Sequence, residues 1–234
     1  MKCIDYGLFN QVKITMLYKS VYILFLLGVI SLFSATASAD TARAQTIIEE
    51  NSKHLIDALQ AQSAAIKSDP SVAYKLVDEI VLPYVDFERV ARIVLGKYWR
   101  KASDTQRKEF TEEFTRLLVR TYVTAMVEFS DQIVSHAKNV TFLPFHAAPD
   151  SDDVTVRMQI ALPDRAPVKV NYSLHENGDS WKIYDLSVEG VSLATTYRSS
   201  FATEIRRGGL DSLISKLKAK NAAQSPTKTA NQSN

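Results

Sequence analysis

Val154-Thr155-Val156-Arg157-Met158-Gln159-Ile160 and Val168-Lys169-Val170-Asn171-Tyr172-Ser173-Leu174 alternate apolar with polar residues. Period two is the mark of strands with one buried face. Asn177-Gly178 follows the second run and signals a hairpin turn. The next strand opens with Trp181 and Ile183 in phase, then places Tyr184, Leu186 and Val188 on the other phase. That switch predicts a bulge near Ile183–Tyr184, or a strand covered on both faces. Between the two runs, Leu162 to Pro167 reads as a loop. Upstream, Val140, Phe142 and Phe145 suggest a first strand that Pro144 breaks or confines to an edge.

Outside this block the period is helical. Ala44, Ile47, Ile48, Leu55 and Leu59 predict a helix over 41–67. Asp69-Pro70 starts a second, carrying Val72, Leu76, Val77 and Ile80, which Pro83 stops. Asp86 caps a short third, and Gly96 ends it. Ser103 with Gln106 forms a capping box. It opens a helix expected to run unbroken to His136, roughly 45 Å long. After Gly190, Leu193, Tyr197 and Phe201 return to helical spacing. Arg206-Arg207-Gly208-Gly209 interrupts it, and Leu210, Leu213, Ile214 and Leu217 form a last helix. The polar stretch 221–234 reads as a disordered tail. Helices followed by consecutive antiparallel strands give an α+β class. The strands' apolar face needs a cover, and the 104–136 helix is the expected one. A curved sheet folded over that helix makes a cone whose apolar interior is either filled or left open for a ligand.

The first 39 residues read as a secretory signal. Lys2, Lys13 and Lys19 precede the apolar run Val21–Phe33, and Ala37-Ser38-Ala39 offers a cleavage site before Asp40. The run is short for a span of about 20 residues. An uncleaved anchor is the alternative, though small residues follow the run in place of a basic stop. Cleavage removes Cys3, the only cysteine, and leaves equal numbers of basic and acidic residues. That balance gives no nucleic-acid footprint. Export without disulfides points to a bacterial periplasm. Residues 40–220 would then form the working domain, with core burial as its source of stability.

Catalytic and metal motifs do not assemble. His54, His136, His146 and His175 are scattered, without ligand spacing. Asp150, Asp152 and Asp153 lack the closing glutamate of a calcium loop. No metal and no cofactor is expected.

Several strings in order resemble one family. They are Leu82-Pro83-Tyr84-Val85-Asp86-Phe87, Leu95-Gly96-Lys97-Tyr98-Trp99, and Ala102-Ser103 leading to Gln106-Arg107 and Phe110. Glu189-Gly190-Val191-Ser192-Leu193 follows, then Tyr197-Arg198, Phe201 and Gly209-Leu210-Asp211 with Leu213. Together, over about 45–218, they resemble the MlaC or toluene-tolerance family of periplasmic proteins. The resemblance implies an NTF2-like cone of curved antiparallel sheet around a long helix, plus a small helical subdomain. It implies a monomeric, non-enzymatic carrier with a bound phospholipid. Its partners would be an inner-membrane ABC transporter complex and an outer-membrane lipoprotein/porin complex, and its role maintenance of outer-membrane lipid asymmetry.

On that reading, acyl tails should meet the inner faces of the long helix and the strands. Phe114, Leu118, Tyr122, Met126, Phe142, Val156, Met158, Val170, Tyr172 and Tyr184 are the expected wall. Ordinary core packing accounts for an apolar stripe equally well. Val191 would stand at the cavity mouth, with Glu189, Lys169 and Arg198 as partner-docking residues. A plain strand-to-helix turn and solvated charges are the alternative there. Two other functions stay open: an NTF2-like enzyme for a small apolar substrate, and a ligand-free structural adaptor.

Overall fold

The computed structural model describes residues 36–144, 151–178 and 180–223. The signal expected over 1–39 therefore lies almost wholly outside the described residues, as do Phe145, His146, Asp150 and 224–234.

Five antiparallel strands follow one another as a meander: β1 (Val140–Phe142), β2 (Asp153–Leu162), β3 (Arg165–Asn177), β4 (Ser180–Val188) and β5 (Val191–Ser192). Pairing sets Val156 beside Tyr172 and Tyr172 beside Leu186, so alternate residues build one apolar face. Ser173 pairs with Asp185 while Leu174 pairs with Ile183, which leaves Tyr184 as the extra residue of a bulge. This accounts for the phase switch in β4. At the hairpin, Asn177 pairs with Ser180 and Gly178 takes φ +61°. The expected loop from Leu162 to Pro167 is shorter than its proline content suggests. Leu162 already pairs with Arg165, and Pro167 lies in the part of β3 that pairs only with β2.

The helices are α1 (Thr36–Ala61), α2 (Ser63–Ser68), α3 (Ser71–Ile80), α4 (Phe87–Leu95), α5 (Asp104–Glu128), α6 (Ser130–His136) and α7 (Leu193–Ala223). The helix predicted over 41–67 is two, divided at Gln62. Asp69, one residue ahead of Pro70 at the N-cap of α3, accepts from Ser71 N at 2.9 Å. Asp86 caps α4 by accepting from Arg89 N at 2.9 Å. Both halves of the Ser103–Gln106 capping box are made. The helix expected to reach His136 breaks at Phe129. Backbone bonds Phe129 N to Ala125 O and Ile133 N to Phe129 O, each 2.9 Å, cross the break. The apolar rhythm therefore passes through it unchanged. In α7, Gly209 adopts φ +80°, ψ 172°, a conformation suited to glycine, and splits the helix in two. The second half continues to Ala223, past the expected start of the tail. Asn221 is buried there, with Nδ2 donating to Glu113 O at 2.9 Å and to its Oε2 at 2.6 Å.

Three apolar clusters hold the molecule. Phe110, Phe114 and Leu117 of α5 pack with Phe201, Ile205 and Leu213 of α7 and with α4. Leu59 of α1, Leu76 and Val77 of α3 and Val123 of α5 form a second. Ala44 and Ile48 of α1 cover Val154, Val156, Leu174 and Trp181 in the third. The helix in direct contact with the strands' apolar face is thus α1. No buried cluster among the described residues joins α5 to the sheet.

Candidate functional site

A cavity of about 330 Å³ occupies the gap between α5 and strands β3 and β4. From α5 come Phe114, Leu118, Val119, Tyr122, Val123 and Met126, one side of a helix at i, i+4 spacing. From the sheet come Tyr172, Ile183, Tyr184 and Leu186. Leu55 of α1, Val77 of α3, Val81 just past its end, and Phe87 and Val90 of α4 complete the lining, with Leu193, Ala194 and Tyr197 of α7. Local structure fixes these walls. Val85 forms a bridge to Ile183, and Asp86 N donates to Ile183 O at 2.9 Å, so the segment before α4 is stitched to β4.

The lining carries one charged side chain, Asp185. Its Oδ1 accepts from Ala194 N at 3.1 Å and caps α7. Three lining tyrosines, Tyr122, Tyr172 and Tyr184, are held in the neutral form. Burial pushes the Tyr172 hydroxyl above its ordinary range. Burial, reinforced by the neighbouring Tyr197 hydroxyl, does the same at half-exposed Tyr122. Burial and then Asp153 raise Tyr184, although Arg89, 4.5 Å over its ring, pulls the other way. An apolar hollow whose one carboxylate is engaged at a helix cap suits hydrocarbon.

Six expected wall residues line this cavity: Phe114, Leu118, Tyr122, Met126, Tyr172 and Tyr184. Five do not. Phe142 and Val156 pack in the cluster beneath α1. Met158 and Val170 pair with each other further along the same face, buried but away from the lining. Val191 stands exposed on β5, paired with exposed Val188. These five share the period of the true lining; only the position of α1 and the length of the cavity separate them. Conversely, Val77 reads as ordinary helix core, and Leu82-Pro83-Tyr84-Val85-Asp86-Phe87 as a helix stop, a helix cap and a family string. Val85's period-two link to β4 has no trace in the local sequence.

The expected docking residues divide. Glu189 (φ +50°) turns the chain between β4 and β5, its N donating to Lys169 O at 2.9 Å and its carboxylate accepting from Lys169 N. Arg198 lies elsewhere, over Gly96: a Cβ on that glycine would stand 2.7 Å from Arg198 Nη2. Away from the cavity lining, His175 Nε2 meets Asp86 Oδ2 at 2.8 Å and its Nδ1 meets Glu176 O at 2.9 Å. Asp153 pairs with Arg89 at 2.8 Å. Among the described residues no group of His, Cys, Asp and Glu is placed to hold a metal, and no helix is long and apolar enough to cross a membrane.

The chain is similar to known proteins over most of its length. A solved structure of the phospholipid-binding protein from Ralstonia solanacearum, in complex with a phospholipid, superposes with a TM-score of 0.67 at 29% identity, covering 77% of this chain and 97% of that one. The toluene tolerance protein ttg2D of Pseudomonas putida is 31% identical over 201 residues, 81% of this chain and 90% of that protein. The intermembrane phospholipid transport system binding protein MlaC of Haemophilus influenzae is 26% identical over 189 residues, 80% and 85% of the two chains. The family model described as MlaC protein matches residues 49–219, from within α1 to the last turn of α7, and the chain belongs to that family.

Proposed function

We propose that this chain is a periplasmic phospholipid carrier that holds acyl tails between α5 and the β3–β4 pair. The carrying observation is the cavity itself: walls of hydrocarbon, with its one carboxylate already engaged at a helix cap. The relatives support the reading, since one is named as a phospholipid transport binding protein and another holds a phospholipid. Moving a diacyl lipid through water exposes about 30 methylenes at ~0.8 kcal/mol each, a barrier on the order of 24 kcal/mol. A carrier removes most of that barrier by replacing membrane with apolar walls, and needs no bond chemistry. The route runs between an outer-membrane lipoprotein/porin complex and an inner-membrane ABC transporter complex, and it sustains outer-membrane lipid asymmetry.

At about 330 Å³ the cavity sits at the low end of ligand pockets, which run ~300–1,000 Å³. Loading therefore widens it. No buried cluster among the described residues joins α5 to the strands, so the gap between them can widen without tearing a core that spans it. Transfer between donor and acceptor vesicles tests the reading. Purified chain should move labelled phospholipid saturably and return it chemically unaltered. No transfer above the protein-free rate, or cleaved lipid, would overturn it.

A further inference from the structure

Another hollow, of about 730 Å³ and rimmed by charged side chains, opens between α3, α5 and the end of α7. It shares Val119 and Leu82 with the apolar cavity, so these two residues are the partition between the spaces. Arg116, Arg120 and Lys218 line it, together with Asp78 and Glu113. Most of these charges are engaged. Buried Glu113 accepts from Arg116 Nη1 at 2.8 Å and from Asn221, and Lys218 pairs with Glu109 at 3.1 Å. Arg120 differs. Its Nη1 donates to Asn221 O at 3.2 Å, but Nη2 is buried and meets no acceptor. Among the described residues no carboxylate forms an ion pair with it. A guanidinium cannot shed its proton, so a buried, unmet N–H on it calls for an anionic oxygen. Arginine's fork matches phosphoryl oxygens in geometry as well as charge. Asp78, exposed on α3, would repel a bare phosphate and attract a positive substituent on the same ligand.

We propose that this hollow binds a phosphate ester carrying an amine, with Arg120 on the phosphoryl oxygens and Asp78 on the ammonium. Two sources share that chemistry: the headgroup of a zwitterionic phospholipid reaching past Val119 and Leu82, and a free water-soluble ester. The first source rests on the carrier reading; the second does not.

Calorimetric titration of the full chain with glycerophosphoethanolamine and with short-chain phosphatidylethanolamine separates them. Arg120→Gln should weaken binding about tenfold or more, the loss of a hydrogen bond to a charged group. Asp78→Asn, on an exposed side chain that folding does not need, should lower affinity for the amine-bearing ester but not for glycerol phosphate. Arg120-dependent binding of the soluble ester supports a free-ester site. Such dependence for the lipid alone supports a headgroup site. Equal affinities in wild type and both variants overturn the proposal. So does an absence of any Arg120-dependent binding in a chain that still transfers long-chain lipid, a result that leaves the carrier reading intact.

Discussion

Met126 is half-buried on the cavity wall, whereas Val156 is fully buried beneath α1. A lysine at 126 places an ammonium among hydrocarbon on the lining, while its stem can turn toward solvent. Met126→Lys should therefore cut co-purified phospholipid about tenfold, read by phosphorus assay, with the unfolding midpoint little changed. Val156→Ala should do the reverse. It loses roughly 1.5–3 kcal/mol of burial in a denaturant titration and leaves lipid content intact. Tyr172 makes a third residue-level case. Burial raises its hydroxyl above the ordinary value near 10, so the folded chain keeps a proton that the unfolded chain releases. That contribution is fully present below about pH 10 and fades as pH rises through and beyond it. Tyr172→Phe should flatten the alkaline loss of stability, measured as melting temperature from about pH 9 to 11.

The end of α7 illustrates what elements contribute beyond their own propensity. Asn221 clamps α7 to α5 through two bonds to Glu113, a carboxylate that Arg116 also holds. Asn221→Ala should cost about 1–3 kcal/mol in a urea titration, because it strips buried Glu113 of a donor. Sequence foretold most elements here. Strand alternation, the bulge, the Asn177-Gly178 turn and the caps at Asp86 and Ser103 are local chemistry, and local chemistry is written in neighbouring residues. The break at Phe129 was hidden because hydrogen bonds bridge it and keep the apolar rhythm. The ordered residues 221–223 were hidden because a polar run reads as solvated until a buried partner such as Glu113 is known. Which helix lies directly on the strands was equally illegible: α1 and α5 both carry suitable stripes, and long-range packing seats α1 on the sheet and leaves α5 across the cavity from it.

For the whole molecule, the result is an apolar sheet face shared by two covers. At one end α1 lies directly on it; at the other α5 stands off and leaves hydrocarbon-lined space. Sequence patterns mark residues as apolar without saying whether they touch each other or a ligand. Hence the expected wall mixes Phe114, Leu118, Tyr122, Met126, Tyr172 and Tyr184, which line this space, with Phe142, Val156, Met158, Val170 and Val191, which do not. The central claim is that this space exists to be occupied by lipid tails. Native mass spectrometry of the chain, purified from an envelope extract without detergent, addresses it directly. The dominant species should be heavier than the polypeptide by one intact diacyl phospholipid, and Met126→Lys should lose it. A dominant bare polypeptide mass, unchanged after incubation with phospholipid vesicles, would contradict the claim.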